Sequence, residues 1–117
     1  MQIVSSLLSV DSPLVSVQGQ TTSRVSIVSG ASNPNNKIWY DPQITIIKKG
    51  DSVTWINKDA SLHTVTSGTF YQGPTPEYDS GILNSAQISK PWTFNSNGTF
   101  NYYCTLHPFM SGQILVN

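Results

Sequence analysis

The chain has 117 residues, of which 38% are aliphatic, aromatic or cysteine, enough for one compact core and too few for two. Six basic residues balance six acidic ones, and charged residues make up only 10% of the chain, against about 25% in an average soluble domain. There is no basic face for nucleic acid and no polybasic stretch for a membrane surface, and no apolar run reaches the length of a membrane span.

In chain order, residues 1–20 carry little pattern, and we read them as a first strand or loose tail ahead of a domain spanning 21–117. The apolar start, Met1 to Val10, has no positive flank and makes a poor secretory signal, so the chain is either intracellular or a mature form with its export signal removed. Val25–Val28 reads as an early strand, and Gln43–Lys48 as another, followed by the turn Lys49-Gly50-Asp51. Ser52–Asn57 alternates, with Val53 and Trp55 on one face and Thr54 and Ile56 on the other. A polar loop, Asn57–Ser61, leads into a strand over His63–Ser67. Gly73, Pro74, Pro76 and Gly81 make 68–81 an irregular connection. Gln87–Phe94 and Thr99–Cys104 read as a strand pair joined through Asn97-Gly98, and Ile114–Val116 closes the domain. No helical periodicity appears. The pattern predicts an all-β Greek-key sandwich of about seven to eight strands.

The chemistry concentrates in Cys104-Thr105-Leu106-His107-Pro108-Phe109-Met110. A thiolate, an imidazole and a thioether recur every three residues in one interstrand loop, and the only other histidine is His63. One thiolate, two imidazoles and a weak axial thioether form the donor set of a mononuclear type 1 copper centre. Counting excludes other centres for this chain alone: both histidines are committed, a binuclear copper site needs a second cysteine, and structural zinc prefers four Cys or His ligands.

The loop CTLHPFM resembles the copper loop of amicyanins, and YDPQITIIKKGDSVTWINKDASLHTV resembles the strand, turn, strand and ligand-histidine segment of plastocyanin-like domains. Asp79-Ser80-Gly81-Ile82-Leu83 adds to a likeness that runs from about Trp39 to Val116. The resemblance implies a cupredoxin: His63 and Cys104 as equatorial ligands, His107 as a partly exposed one, and Met110 as the long axial one. It also implies an extracytoplasmic carrier of single electrons, whose redox partner docks near His107 on an apolar rim of Leu62, Leu106, Pro108 and Phe109. Tyr103 matches the family's Tyr-Cys pair, a second electron route. Many relatives place Asn after the upstream histidine to pin the ligand loop. This chain has Thr64, so a hydroxyl replaces that bond or it is lost. Two alternatives stand beside electron transfer. One is a water-bearing axial position that lets copper oxidise a small molecule such as nitric oxide to nitrite; the other is copper storage or delivery. Trp39, Trp55 and Trp92 read as core and Asp79 as a turn residue.

Overall fold

The computed structural model describes residues 20–117, so the reading of 1–20 as a strand or tail lies, but for Gln20, outside the described residues. Nine strands form and no helix appears among the described residues. They are β1 (Thr22–Ile27), β2 (Tyr40–Asp41), β3 (Ile44–Ile47), β4 (Ser52–Asn57), β5 (Thr66–Thr69), β6 (Gly73–Asp79), β7 (Trp92–Thr93), β8 (Gly98–Tyr103) and β9 (Ser111–Val116). Two sheets result, one in the order β2-β1-β4-β7 and one in the order β3-β9-β8-β5-β6. The chain changes sheet at five of its eight strand-to-strand connections, as in a Greek key, and stays within a sheet from β1 to β2, β5 to β6 and β8 to β9.

Period-two alternation explains why the layers stack. In β4, Val53 and Trp55 are fully buried while Thr54 and Ile56 are only partly so, and β9 buries Gly112, Ile114 and Val116 on one face. These residues meet Val25 and Ile27 of β1, Tyr40, and Tyr102 of β8 between the sheets. Trp55 is the centre of this layer, with its ring 5.1 Å from Tyr102, 5.7 Å from Tyr78 and 6.3 Å from Trp92. Trp55 and Trp92 are core as expected, whereas Trp39 is only partly buried and packs edge-on against Phe109. The turn after β3 is where it was expected: Gly50 takes φ 99° and Asp51 N–H donates to the Lys48 carbonyl.

Three expectations need correction. The segment 68–81 is not irregular: it contains β6, which pairs antiparallel with β5 across a register shift. Its prolines are tolerated because β6 is the outer strand of its sheet, where a missing N–H removes no ladder bond. Next, 87–94 and 99–104 are not a hairpin. β7 pairs with β4 and β8 with β9 and β5, so Asn97-Gly98 lies on an arch between the two sheets. Of that pair only Gly98 has positive φ, whereas a type I′ turn needs it at both residues. Finally, the strand expected at His63–Ser67 starts only at Thr66, and His63 itself sits on an isolated bridge to Leu83.

The close approach of β8 and β9 depends on Gly112, which pairs with Tyr102. A β-carbon there would lie 2.4 Å from the Tyr102 ring and hydroxyl. We expect Gly112→Ala to lose about 1–3 kcal/mol by overpacking, read as a lower denaturant midpoint; an unchanged midpoint would refute this packing.

Candidate metal centre

The site forms where two segments far apart in sequence meet. Upstream, β4 ends at Asn57, and the loop that follows brings His63 onto its bridge with Leu83, where Leu83 N–H donates to the His63 carbonyl at 2.8 Å. Downstream, β8 ends at Tyr103 and β9 begins at Ser111, leaving a tight loop between two paired strands. The loop closes on itself: Cys104 N–H donates to the Met110 carbonyl at 3.2 Å and Met110 N–H to the His107 carbonyl at 2.9 Å. Pro108 brings no N–H of its own to this crowded turn.

His63, Cys104 and His107 converge there, with their ligating atoms within 4.8 Å of one another. Nδ1 of His63 and Nδ1 of His107 each lie 3.8 Å from Cys104 Sγ. First-row metal–ligand lengths of about 2.0 Å to nitrogen and 2.3 Å to sulfur, opened to a trigonal 120°, put N and S about 3.7 Å apart. Spacing and donor set therefore fit a single copper ion. His63 and Cys104 are fully buried and His107 is partly exposed. Met110, fully buried, ends the same loop. Tyr103 is buried too, at the end of β8.

Thr64 takes over the pinning expected of Asn. Its hydroxyl oxygen accepts the Thr105 N–H at 2.9 Å, and its own N–H donates to Cys104 Sγ at 3.3 Å. The Thr64 hydroxyl also sits 3.1 Å from that of Thr66 and 3.2 Å from that of Thr105. Below it, the Tyr40 hydroxyl donates to the Thr64 carbonyl at 3.0 Å. Asp79 is a turn residue as expected: its carboxylate accepts from Gly81 N–H at 2.9 Å and from the Thr66 hydroxyl at 3.3 Å.

The sequence reading passed over Asp59, treating 57–61 as a polar loop. Its Oδ2 lies 2.7 Å from His63 Nε2, and the carboxylate is 5% exposed. Asp59 stands four residues before His63, a spacing that carries no meaning in a loop until the chain is folded.

The electrostatics favour a thiolate. Burial acts to raise the Cys104 pKa, but the adjoining His63 ring, the Thr64 N–H, the His107 ring and the Leu106 N–H outweigh it and lower it to about 6. Burial acts to lower the His63 pKa, and its bonds to Cys104 and Asp59 raise it overall. The Asp59 carboxyl stays below its usual range despite burial, because it accepts from His63 and from the Gly30 and Ala60 N–H groups. A depressed thiol stabilises the fold above its unfolded pKa, and that contribution is lost as pH falls through the folded value. In the metal-free protein the ultraviolet thiolate absorbance should disappear with a midpoint near pH 6. A midpoint at the ordinary cysteine value would contradict this geometry.

Residues 27–117 match the family described as copper binding proteins, plastocyanin/azurin family. Amicyanin of Paracoccus denitrificans is 34% identical over 89 residues, covering 68% of this chain and 60% of the relative. Amicyanin-alpha of Methylorubrum extorquens is 41% identical over 71 residues, covering 60% of this chain and 57% of the relative. The chain thus spans about 60% of the length of these curated relatives. Among solved structures, a purple cupredoxin from Nitrosopumilus maritimus superposes with a TM-score of 0.74 at 26% identity, over 81% of this chain and 99% of that one. A copper(I) form of an amicyanin variant superposes with a TM-score of 0.64 at 29% identity, over 82% of each chain. With the family match covering β2 to β9 and the last residue of β1, and a thiolate and two imidazoles converging where copper fits, the chain belongs to the plastocyanin/azurin family of copper-binding cupredoxins.

Proposed function

We propose that this protein carries single electrons between redox partners, with one copper ion that would be held by His63, Cys104 and His107 and more weakly by Met110. The observation that carries the reading is the 3.8 Å spacing of both Nδ1 atoms from one buried sulfur. Copper, when bound, supplies the Cu(II)/Cu(I) couple. The chain's own residues do the rest. Cys104 offers an ionised sulfur, and the Thr64 and loop hydrogen bonds hold the donors at one compromise geometry. Buried walls keep water from His63 and Cys104, so little solvent has to reorganise when charge moves.

His107, the partly exposed member, is the proposed way out for the electron. Leu62 and Leu106, each nearly half exposed, stand with Pro108 and Phe109 as the apolar rim proposed for partner docking. An open groove of about 1100 Å³ adjoins the rim, sharing Pro108 and Phe109 and extending to the exposed pair Phe70 and Tyr71. None of its lining residues is charged. We place the protein outside the cytoplasm, because cytosolic thiols compete for Cu(I) as soft ligands. No helix among the described residues is long and apolar enough to cross a membrane.

A second reading has its own observation behind it: the structural relative with the TM-score of 0.74 is named a purple cupredoxin, and a violet tint reports a distorted or water-bearing site. In that reading Met110 would not hold the metal, and copper, when bound, would supply the one-electron oxidation by which nitric oxide and water give nitrite and two protons. The copper(II) spectrum separates the two. Dominance of the longer-wavelength thiolate band, together with a spectral change in Met110→Ala, supports axial thioether and electron transfer. A dominant violet band unaffected by that substitution supports the water-bearing site.

Cys104→Ser should abolish the intense visible band altogether, and retention of the colour would sink both readings. Electron self-exchange between copies, followed by NMR line broadening, should change little with salt because the net charge is zero. Leu106→Glu should slow self-exchange by about tenfold or more at low salt, with recovery at high salt. An exchange rate indifferent to this charge would remove the rim from the docking face.

A further inference from the structure

We propose that Asp59 is a positioning residue that fixes the tautomer of His63 and thereby sets the copper affinity and reduction potential of the centre. The inference rests on the copper reading above, with His63 as a ligand.

Asp59 is held from several sides. Its Oδ1 accepts the Gly30 N–H at 2.8 Å, from the turn that follows β1. Its own N–H donates to Asn57 Oδ1 at 2.9 Å. The Asn57 amide in turn donates to the Ser61 and Leu83 carbonyls at 2.9 and 3.0 Å. Leu83 is the residue whose backbone brackets His63. The carboxylate, the ring it touches and the Leu83 bridge that seats the ring thus form one connected unit.

Both carboxylate oxygens act as acceptors at once, Oδ1 from Gly30 and Oδ2 from His63. A carboxylate has no proton to give, so the hydrogen between Asp59 and Nε2 belongs to the ring. Nδ1, facing Cys104 Sγ at 3.8 Å, is thereby left as the ring's metal-binding atom. Orientation of a ligand ring by an acceptor on its far nitrogen is a general device of metal sites. Here the acceptor carries a full negative charge in a place that is 5% exposed. Its attraction for the centre is greater when the metal carries two charges than when it carries one, so it favours the oxidised state.

Asparagine cannot do this. It has one acceptor oxygen, so either the Gly30 N–H loses its partner or His63 faces an amide N–H. The second outcome pushes the ring proton to Nδ1, the atom the metal needs.

The test uses the copper-loaded protein and Asp59→Asn, with Asp59→Glu as the conservative restoration. Asp59→Asn should weaken copper(II) binding by about 10–100-fold in competition with a chelator. Its reduction potential should move upward, and Asp59→Glu should bring it back toward the original. Thermal midpoints of the metal-free forms, recorded alongside, separate support of the fold from control of the metal. If Asp59→Asn shifts only those midpoints and leaves affinity and potential in place, the proposal fails. A measurement on the unsubstituted copper(I) form guards against a variant that does not fold: His63 Nε2–H should resonate far downfield and exchange slowly, and rapid exchange would overturn the proposal. Absence of a thiolate–copper band in the unsubstituted protein would instead overturn the copper reading itself, before Asp59 is reached.

Discussion

Position 64 ties together two parts of the chain just beyond the point where β5 and β8 pair, Thr66 opposite Tyr103. Its N–H points at the Cys104 sulfur, its hydroxyl receives the Thr105 N–H, and its carbonyl receives the Tyr40 hydroxyl. Three polar groups of one buried residue thus tie the His63 segment, the Cys104–Met110 loop and the sheet core together. The ladder between β5 and β8 stops at Thr66 and Tyr103, and the Thr64 bonds carry the registration on to His63 and Cys104. The contact is non-local, about forty residues apart in sequence, so it forms only when the sandwich is complete.

The charge pattern follows from this constraint. A sulfur held beside two imidazoles and a backbone N–H is stabilised as an anion although it is buried. The same anion and Asp59 raise the proton affinity of His63 against its own burial. The centre is therefore a row of alternating partners, from Asp59 through His63 to Cys104 and His107, in which each group sets the state of the next. His107 alone reaches the surface, within an apolar and uncharged rim. Rigidity inside and neutrality outside suit the proposed electron carrier, which would meet a partner briefly and change charge without changing shape.

Much of the fold was legible. β3, β4 and β9 came from alternation and from the Lys49-Gly50-Asp51 turn, because half-buried strands in a sandwich must alternate wherever one face is wet. β6 was hidden by Pro74 and Pro76, which read as breakers unless the strand is known to lie at an edge. The supposed hairpin at Asn97-Gly98 failed for a related reason. Local turn chemistry cannot tell a turn within a sheet from an arch between sheets, and the pairing of β7 with β4 is decided by aromatic packing of Trp92 against Tyr78, Phe94 and Trp55.

The sequence by itself determined the chemistry of the centre. Only one cysteine and two histidines were available, and the three-residue spacing from Cys104 to His107 to Met110 confines three donors to one loop. Tertiary structure decided how His63 meets them, with Nδ1 3.8 Å from Cys104 Sγ, and that the Thr64 hydroxyl takes up the Thr105 N–H. The physical reason is range. Donor type and loop spacing are local properties of a covalent chain, whereas a hydrogen bond between residues forty positions apart exists only after the hydrophobic layers have stacked and removed the water that would otherwise compete for it.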